Sequence, residues 1–273
     1  MSVRIITDTS SEITQEEAKK YNIDVVPMYI NFSNQVLKDG IELSKDDFYK
    51  RMLEDTPKTS QPSPSDFLPF FTEAANTGDE IVAVLLSSAL SGTCQSAEIA
   101  AEMTGCKLYF IDSLCASYAQ KILLLEAIKL RDEGRNAAEI TQILLELRKR
   151  VTILAALDTL EYLYKGGRLT RLEAGLGTAA KLKPIITIQS DGTVGVIGKA
   201  LGKSKAMHHI QKKLQEFGMD PAFPVYAVYS CTDSNCRELI KKIDLSHPIY
   251  ANIGATIGTH IGPGAFGLIF VKK

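Results

Sequence analysis

No stretch of this chain stays apolar for the roughly 18 residues that a membrane-spanning helix needs. Nor does a basic head with an apolar segment precede the strand-like opening MSVRIITDTSSE. Neither a membrane span nor a secretory leader is expected, which points to a cytoplasmic protein whose membrane contact is at most transient. Charge of one sign is lacking too: 31 basic residues against 32 acidic ones leave a formal net charge of −1, so nothing draws the chain to nucleic acid. Cysteine is badly spaced for a metal or redox pair. Cys94, Cys106, Cys115, Cys231 and Cys236 are odd in number, and the closest two have four residues between them instead of two. Free thiols and no metal site are expected. Signatures of nucleotide and ester chemistry are also missing. No G-x-G-x-x-G opens a helix after a strand, and no G-x-S-x-G elbow exists. GKALGKS at 198–204 has three residues between its glycines where a phosphate-binding loop has four, too short to wrap a triphosphate in the usual way.

What is present reads as a two-domain globular protein. The 273 residues exceed what most single cores use. Residues 1–155 alternate strand and helix signals. VRIITD is a strand ending in Asp8, and Thr14 with Glu17 forms a capping box. Ser44 and Ser63 each precede an acid at the third helical position, and Pro64 occupies the favoured first one. IVAVLLS and KLYFIDS are nearly all apolar, as strands buried on both faces should be. NAAEITQILLELRKR places Ile140, Ile143, Leu144 and Leu147 on one helical face. Interleaving of this kind implies an N-terminal α/β/α sandwich on a parallel sheet. Ligands bind such sheets at the carboxyl ends of the strands, where Asp8, Ser87–Thr93 and Asp112–Ser113 fall. Residues 156–273 read as α+β with a mixed or antiparallel sheet. A hairpin turns at Asp191-Gly192, later strands lie in FPVYAVYS, HPIYANIG and GAFGLIFVKK, and helices run over about 203–216 and 234–242.

Three stretches could carry chemistry. In LSSALSGT, Ser91 or Thr93 is expected to cap the following helix, while Gly92 lets a ligand approach the backbone. A helix N-terminus there favours an anion. KTSQPSPSD at 58–66 is a second hydroxyl-rich turn leading into a helix. In TIGTHIGPGAFG, His260 stands among Gly258, Gly262, Gly264 and Gly267, a backbone shaped to place it. His208, His209 and His247 read as surface or packing.

TDTSSEI, KTSQPS, LSSALSGT, KGGR, KPI…DG and GTHIGPGAFG occur in this order along the whole chain. The set resembles the DegV family of bacterial fatty acid-binding proteins. That resemblance implies two domains enclosing one long-chain fatty acid and no other cofactor. It implies that Thr59, Ser60, Ser91, Gly92, Thr93 and His260 hold the carboxylate. It further implies a non-catalytic carrier that presents the lipid to a separate ATP-binding fatty acid kinase subunit. His260 is then expected to orient the carboxylate for attack on the partner's phosphate. One departure stands out. Kinase-type members carry an arginine after the hairpin in a K-x-R pattern, and here Lys199-Ala200-Leu201 has leucine in its place. Arg168, Lys199 and Lys203, with Lys205, are the candidates for docking the partner instead. The competing class is an esterase or thioesterase with Ser88 or Ser91 as nucleophile and His260 as base, oriented by Asp8 or Asp112.

Overall fold

A computed structural model describes residues 2–170 and 182–273. Four strands, β1 (Val3–Asp8), β2 (Asp24–Val26), β6 (Glu80–Leu85) and β7 (Lys107–Asp112), form a parallel sheet in the order β2-β1-β6-β7. Alternate residues serve its two faces. Ile6, Ile81, Ala83 and Leu85 pack against the helices Pro64–Thr77 and Thr93–Thr104, with Phe67 and Phe71 at the centre. Ile5, Val82, Val84 and Ile111 pack against the helices Tyr118–Asp132 and Ala137–Leu147. The capping boxes at Thr14, Ser63 and Asn136 all form. KLYFID differs from expectation. It is an edge strand, and its residues are mostly half-buried, because an edge strand has a neighbour on one side only.

A second sheet holds β8 (Val151–Ala156), β9 (Leu182–Ile188), β10 (Val194–Leu201), β11 (Tyr226–Tyr229), β12 (Ile249–Asn252) and β13 (Phe266–Val271). Its order is β10-β9-β8-β13-β11-β12, antiparallel throughout except for the parallel pair β11 and β12. β8 straddles the 155/156 division and pairs wholly within this sheet. Helices Lys203–Phe217 and Ser234–Ile243 cover one face through Met207, Ile210, Leu239 and Ile240.

The helix Tyr118–Asp132 joins the two halves. Its side chains pack on Ile5 and Val84 of one sheet and on Tyr226 and Ile269 of the other. Ten of its 15 residues are buried, as befits a helix wrapped on all sides. A third, antiparallel sheet was not foreseen: β3 (Tyr29–Phe32) lies between β4 (Gln35–Lys38) and β5 (Lys58–Ser60). Its register sets Thr59 opposite Ile30, and this small sheet carries the TSQ segment to the ends of the parallel strands.

Candidate functional site

Asp8 organises the carboxyl edge of the parallel sheet. It is fully buried and accepts from the Ser10 N–H at 2.9 Å, the Leu86 N–H at 2.8 Å, Gln120 Nε2 at 3.1 Å and the Ser10 hydroxyl. Burial pushes its carboxyl above the usual carboxylate range against those bonds. The loop after β6 is thereby pinned, and Ser87 ties it to the second sheet by donating to the Gly192 carbonyl at 2.9 Å. The Asp191-Gly192 hairpin tip thus rests on the edge where the ligand site was expected.

Beside this edge lies a cavity of about 330 Å³. Its polar lining comes from four segments: Thr59, Ser60 and Gln61; Ser91; Arg168; and Thr256 with His260. His260 is not held in a glycine-shaped loop. It sits on the helix Ala255–Ile261, whose Gly258 lies against the rings of Phe48 and Tyr49 with no room for a Cβ. His260 Nε2 and Thr59 Oγ1 are 2.8 Å apart, although the two residues stand 201 positions apart in the chain. Nδ1 is buried and has no hydrogen-bond partner among the described residues. Burial, aided by the Arg168 charge, pulls the imidazole down to about 4, so the ring is neutral at physiological pH. Nε2 and Thr59 Oγ1 share one hydrogen bond whose direction follows the tautomer: with the proton on Nε2 the ring donates to Thr59, and the Thr59 hydroxyl proton is free for a ligand.

Ser91 lines the cavity and exchanges a hydrogen bond with Thr93 Oγ1 at 2.8 Å. Neither caps the helix that follows. The N-cap is Gly92, with no side-chain bond, and its N–H donates to Gln61 Oε1 at 3.0 Å. Thr93 is buried behind the cavity, and neither it nor Gly92 lines it. Ser60 lines the lip and is exposed, its hydroxyl accepting from Asn31 at 2.8 Å.

Among the described residues, Arg168 is the one charged side chain in the lining apart from the titratable His260. Its guanidinium donates to the Leu90 carbonyl at 3.0 and 2.9 Å and to the Gly166 carbonyl. None of these acceptors carries a formal charge, and burial alone lowers its pKa. A half-buried positive charge held by neutral carbonyls leaves the cavity suited to an anion. Of the other docking candidates, Lys199 is exposed on β10 and Lys203 donates to Asn235 Oδ1 at 2.8 Å.

Behind the polar cavity lies a second space of about 70 Å³. Ala116, Ile257 and Ile261 border both. Its walls are almost entirely apolar, with Ile153, Ile186, Ile188 and Phe266 prominent. Hydroxyls and a guanidinium at the mouth, and branched aliphatic side chains behind, describe an amphipathic receptor open to the surface at Ser60 and Gln61.

A family profile described as "Uncharacterised protein, DegV family" matches residues 2–273. This chain belongs to the DegV family. A DegV domain-containing protein of Caldanaerobacter subterraneus subsp. tengcongensis is 34% identical over 278 residues, covering 99% of each chain. Two solved DegV structures align over 100% of both chains. One, described for fatty acid binding, is from Thermus thermophilus, with 29% identity and a TM-score of 0.88. The other, described as a fatty acid binding protein, is from Bacillus subtilis, with 28% identity and a TM-score of 0.87.

Within this DegV chain neither candidate serine is hydrogen-bonded to His260, and neither candidate acid is. Ser88 Oγ donates to Asp112 Oδ2 at 2.5 Å, Ser91 engages Thr93, and His260 engages Thr59. Asp8 reaches none of them; its side chain is used up on Ser10, Leu86 and Gln120. Sequence reasoning overlooked Gln61 and Thr256, and it offered Arg168 for partner docking without foreseeing its place in the cavity lining. Gln61 sat inside the quoted TSQPS motif, and its amide was the available signal. Thr256 gave none.

Proposed function

We propose that this protein binds one long-chain fatty acid, with its carboxylate in the polar cavity and its tail in the apolar compartment behind. The carrying observation is the neutral-carbonyl-bound guanidinium of Arg168 beside the hydroxyls of Thr59 and Ser91, at the mouth of an aliphatic space. A carboxylate placed there gains charge-assisted hydrogen bonds. The tail contributes about 0.8 kcal/mol per buried methylene, so it supplies most of the affinity while the head group sets register. The aliphatic compartment is small at about 70 Å³, so a long tail enters by parting the isoleucines that line it. The lip at Ser60 and Gln61 leaves the head group within reach of a partner, consistent with a non-catalytic carrier serving a separate ATP-dependent fatty acid kinase. Neutral His260 serves that role by holding Thr59, and through it the carboxylate, in one orientation.

Mass spectrometry of protein purified under native conditions, with organic extraction and lipid analysis, tests the reading. A near-stoichiometric free fatty acid is the expected result. Protein that carries none and refuses added stearate overturns it. Carrier and plain lipid buffer are separated by adding a DegV-partner kinase and ATP: formation of acyl phosphate is expected for the carrier.

A further inference from the structure

Four residues of the polar cavity, Thr256, Ile257, His260 and Ile261, ride on the seven-residue helix Ala255–Ile261. A helix this short is not stable alone and holds its place only through ties to its surroundings. His260 ties its last turn to Thr59. Its first turn has no cap of its own, because the N-cap residue is Gly254. Two buried carboxylates from the opposite end of the chain fill that role. Glu12 accepts from the Gly254 N–H with both oxygens, at 2.9 and 3.0 Å. Asp39 Oδ2 accepts from the Thr256 N–H at 2.9 Å and from its hydroxyl at 2.5 Å.

The two carboxylates have different duties. Glu12 is paired with Lys45, whose Nζ lies 2.6 Å from Glu12 Oε2 and also reaches Tyr118 Oη at 3.1 Å and the Asn252 carbonyl at 2.7 Å. Removing Glu12 takes the counter-charge from a half-buried ammonium, a loss to the fold as a whole. The side-chain hydrogen bonds of Asp39 go to Thr256, and its backbone N–H donates to the Met28 carbonyl at 2.9 Å. Met28 lines the same cavity. Asp39 therefore joins two segments of the cavity wall without touching the space inside. We propose that Asp39 is a positioning residue for the head-group cavity: through Thr256 it fixes the helix that carries His260, and so the direction in which Thr59 offers its hydroxyl. This inference rests on the carboxylate reading of that cavity.

The test measures the preference for stearate over 1-octadecanol, which shares the tail and lacks the charge, in Asp39→Ala and Asp39→Asn, each with and without His260→Ala. Asp39→Ala is expected to lose roughly tenfold of that preference, the size of one hydrogen bond to a charged group. Asp39→Asn, whose amide oxygen still accepts from Thr256, is expected to keep it, and Asp39→Ala is expected to add little once His260 is gone. Equal losses for stearate and octadecanol, or additive losses in the His260→Ala background, overturn the proposal. Thr256→Val replaces Asp39→Ala if the latter does not fold; a smaller loss, again absent without His260, is expected. If the unsubstituted protein binds neither lipid, the carboxylate reading has failed, and the His260 imidazole nitrogen resonances decide the positioning claim alone. Movement in Asp39→Ala but not in Asp39→Asn supports it, and no movement in either refutes it.

Discussion

Gly166 offers the sharpest perturbation of the head-group site. Its backbone is right-handed helical, φ −77° and ψ −7°, so alanine suits the chain there. What alanine does not suit is the neighbour. Its methyl would overlap His260 Nδ1, come within 2.8 Å of Cε1 and lie 3.1 Å from the Tyr162 carbonyl. That carbonyl is fixed by its bond from the Gly166 N–H at 2.8 Å, so the imidazole must yield. Overpacking of this kind costs about 1–3 kcal/mol, and the ring gives up its bond to Thr59, itself about 0.5–1.5 kcal/mol. The two overlap, since a ring that swings away loses the bond but relieves the clash. Glycine to alanine also stiffens the unfolded chain, an offset of about 0.4–1 kcal/mol. Gly166→Ala should therefore destabilise by roughly 1–2 kcal/mol, or a few degrees in melting temperature at ~2–4 °C per kcal/mol. With His260→Ala in place the clash is gone and only the offset remains, so the same substitution should become neutral or stabilising. Thermal melts of the four proteins at pH 7.5 decide it. A loss of equal size in both backgrounds refutes the claim that the imidazole fills the space over Gly166.

Two further outcomes follow from the same geometry. His260, pulled down to about 4 by burial and by Arg168, takes up its proton more readily when unfolded, so its contribution to stability falls as pH drops from about 6.5 to 4. Asp39, pushed up to about 6 by burial and Glu12 against Thr256 and Lys45, works in the opposite sense, costing stability as pH rises through about 4 to 6. Relative to the unsubstituted protein, the slope of melting temperature against pH over that window should be more positive in Asp39→Asn and less positive in His260→Ala; equal slopes would refute the opposition. Gly192 has φ +84°, and a Cβ there would overlap the Ser87 hydroxyl. Gly192→Ala should thus cost roughly 1–3 kcal/mol, read as a lower urea midpoint, and an unchanged midpoint would count against the hairpin latch.

How much of this was legible in the sequence depends on the distance over which each contact acts. Capping boxes at Thr14, Ser63 and Asn136 are written within four consecutive residues, and all three form. The parallel sheet and the Asp191-Gly192 hairpin are nearly as local, since alternation and turn chemistry specify them. The head-group site was legible only as motifs. Thr59, Ser91 and His260 could be quoted, but their meeting at one cavity is a product of a small sheet, a loop and a short helix that no periodicity announces. LSGT misled in one detail. Ser91 and Thr93 satisfy each other, so the helix begins at Gly92 without a side-chain cap. Arg168 was offered for partner docking; its place in the cavity lining depends on the Leu90 carbonyl, 78 residues earlier, which no local signal announces. Asp39 was invisible for the strongest reason. An acid before a glycine is ordinary turn chemistry, and its bond to Thr256 spans 217 residues. The amphipathic cavity is therefore assembled from residues whose local signals describe turns and caps. Their shared chemistry emerges only when the two sheets close on the helix Tyr118–Asp132 and bring the hydroxyls, the guanidinium and the isoleucines together.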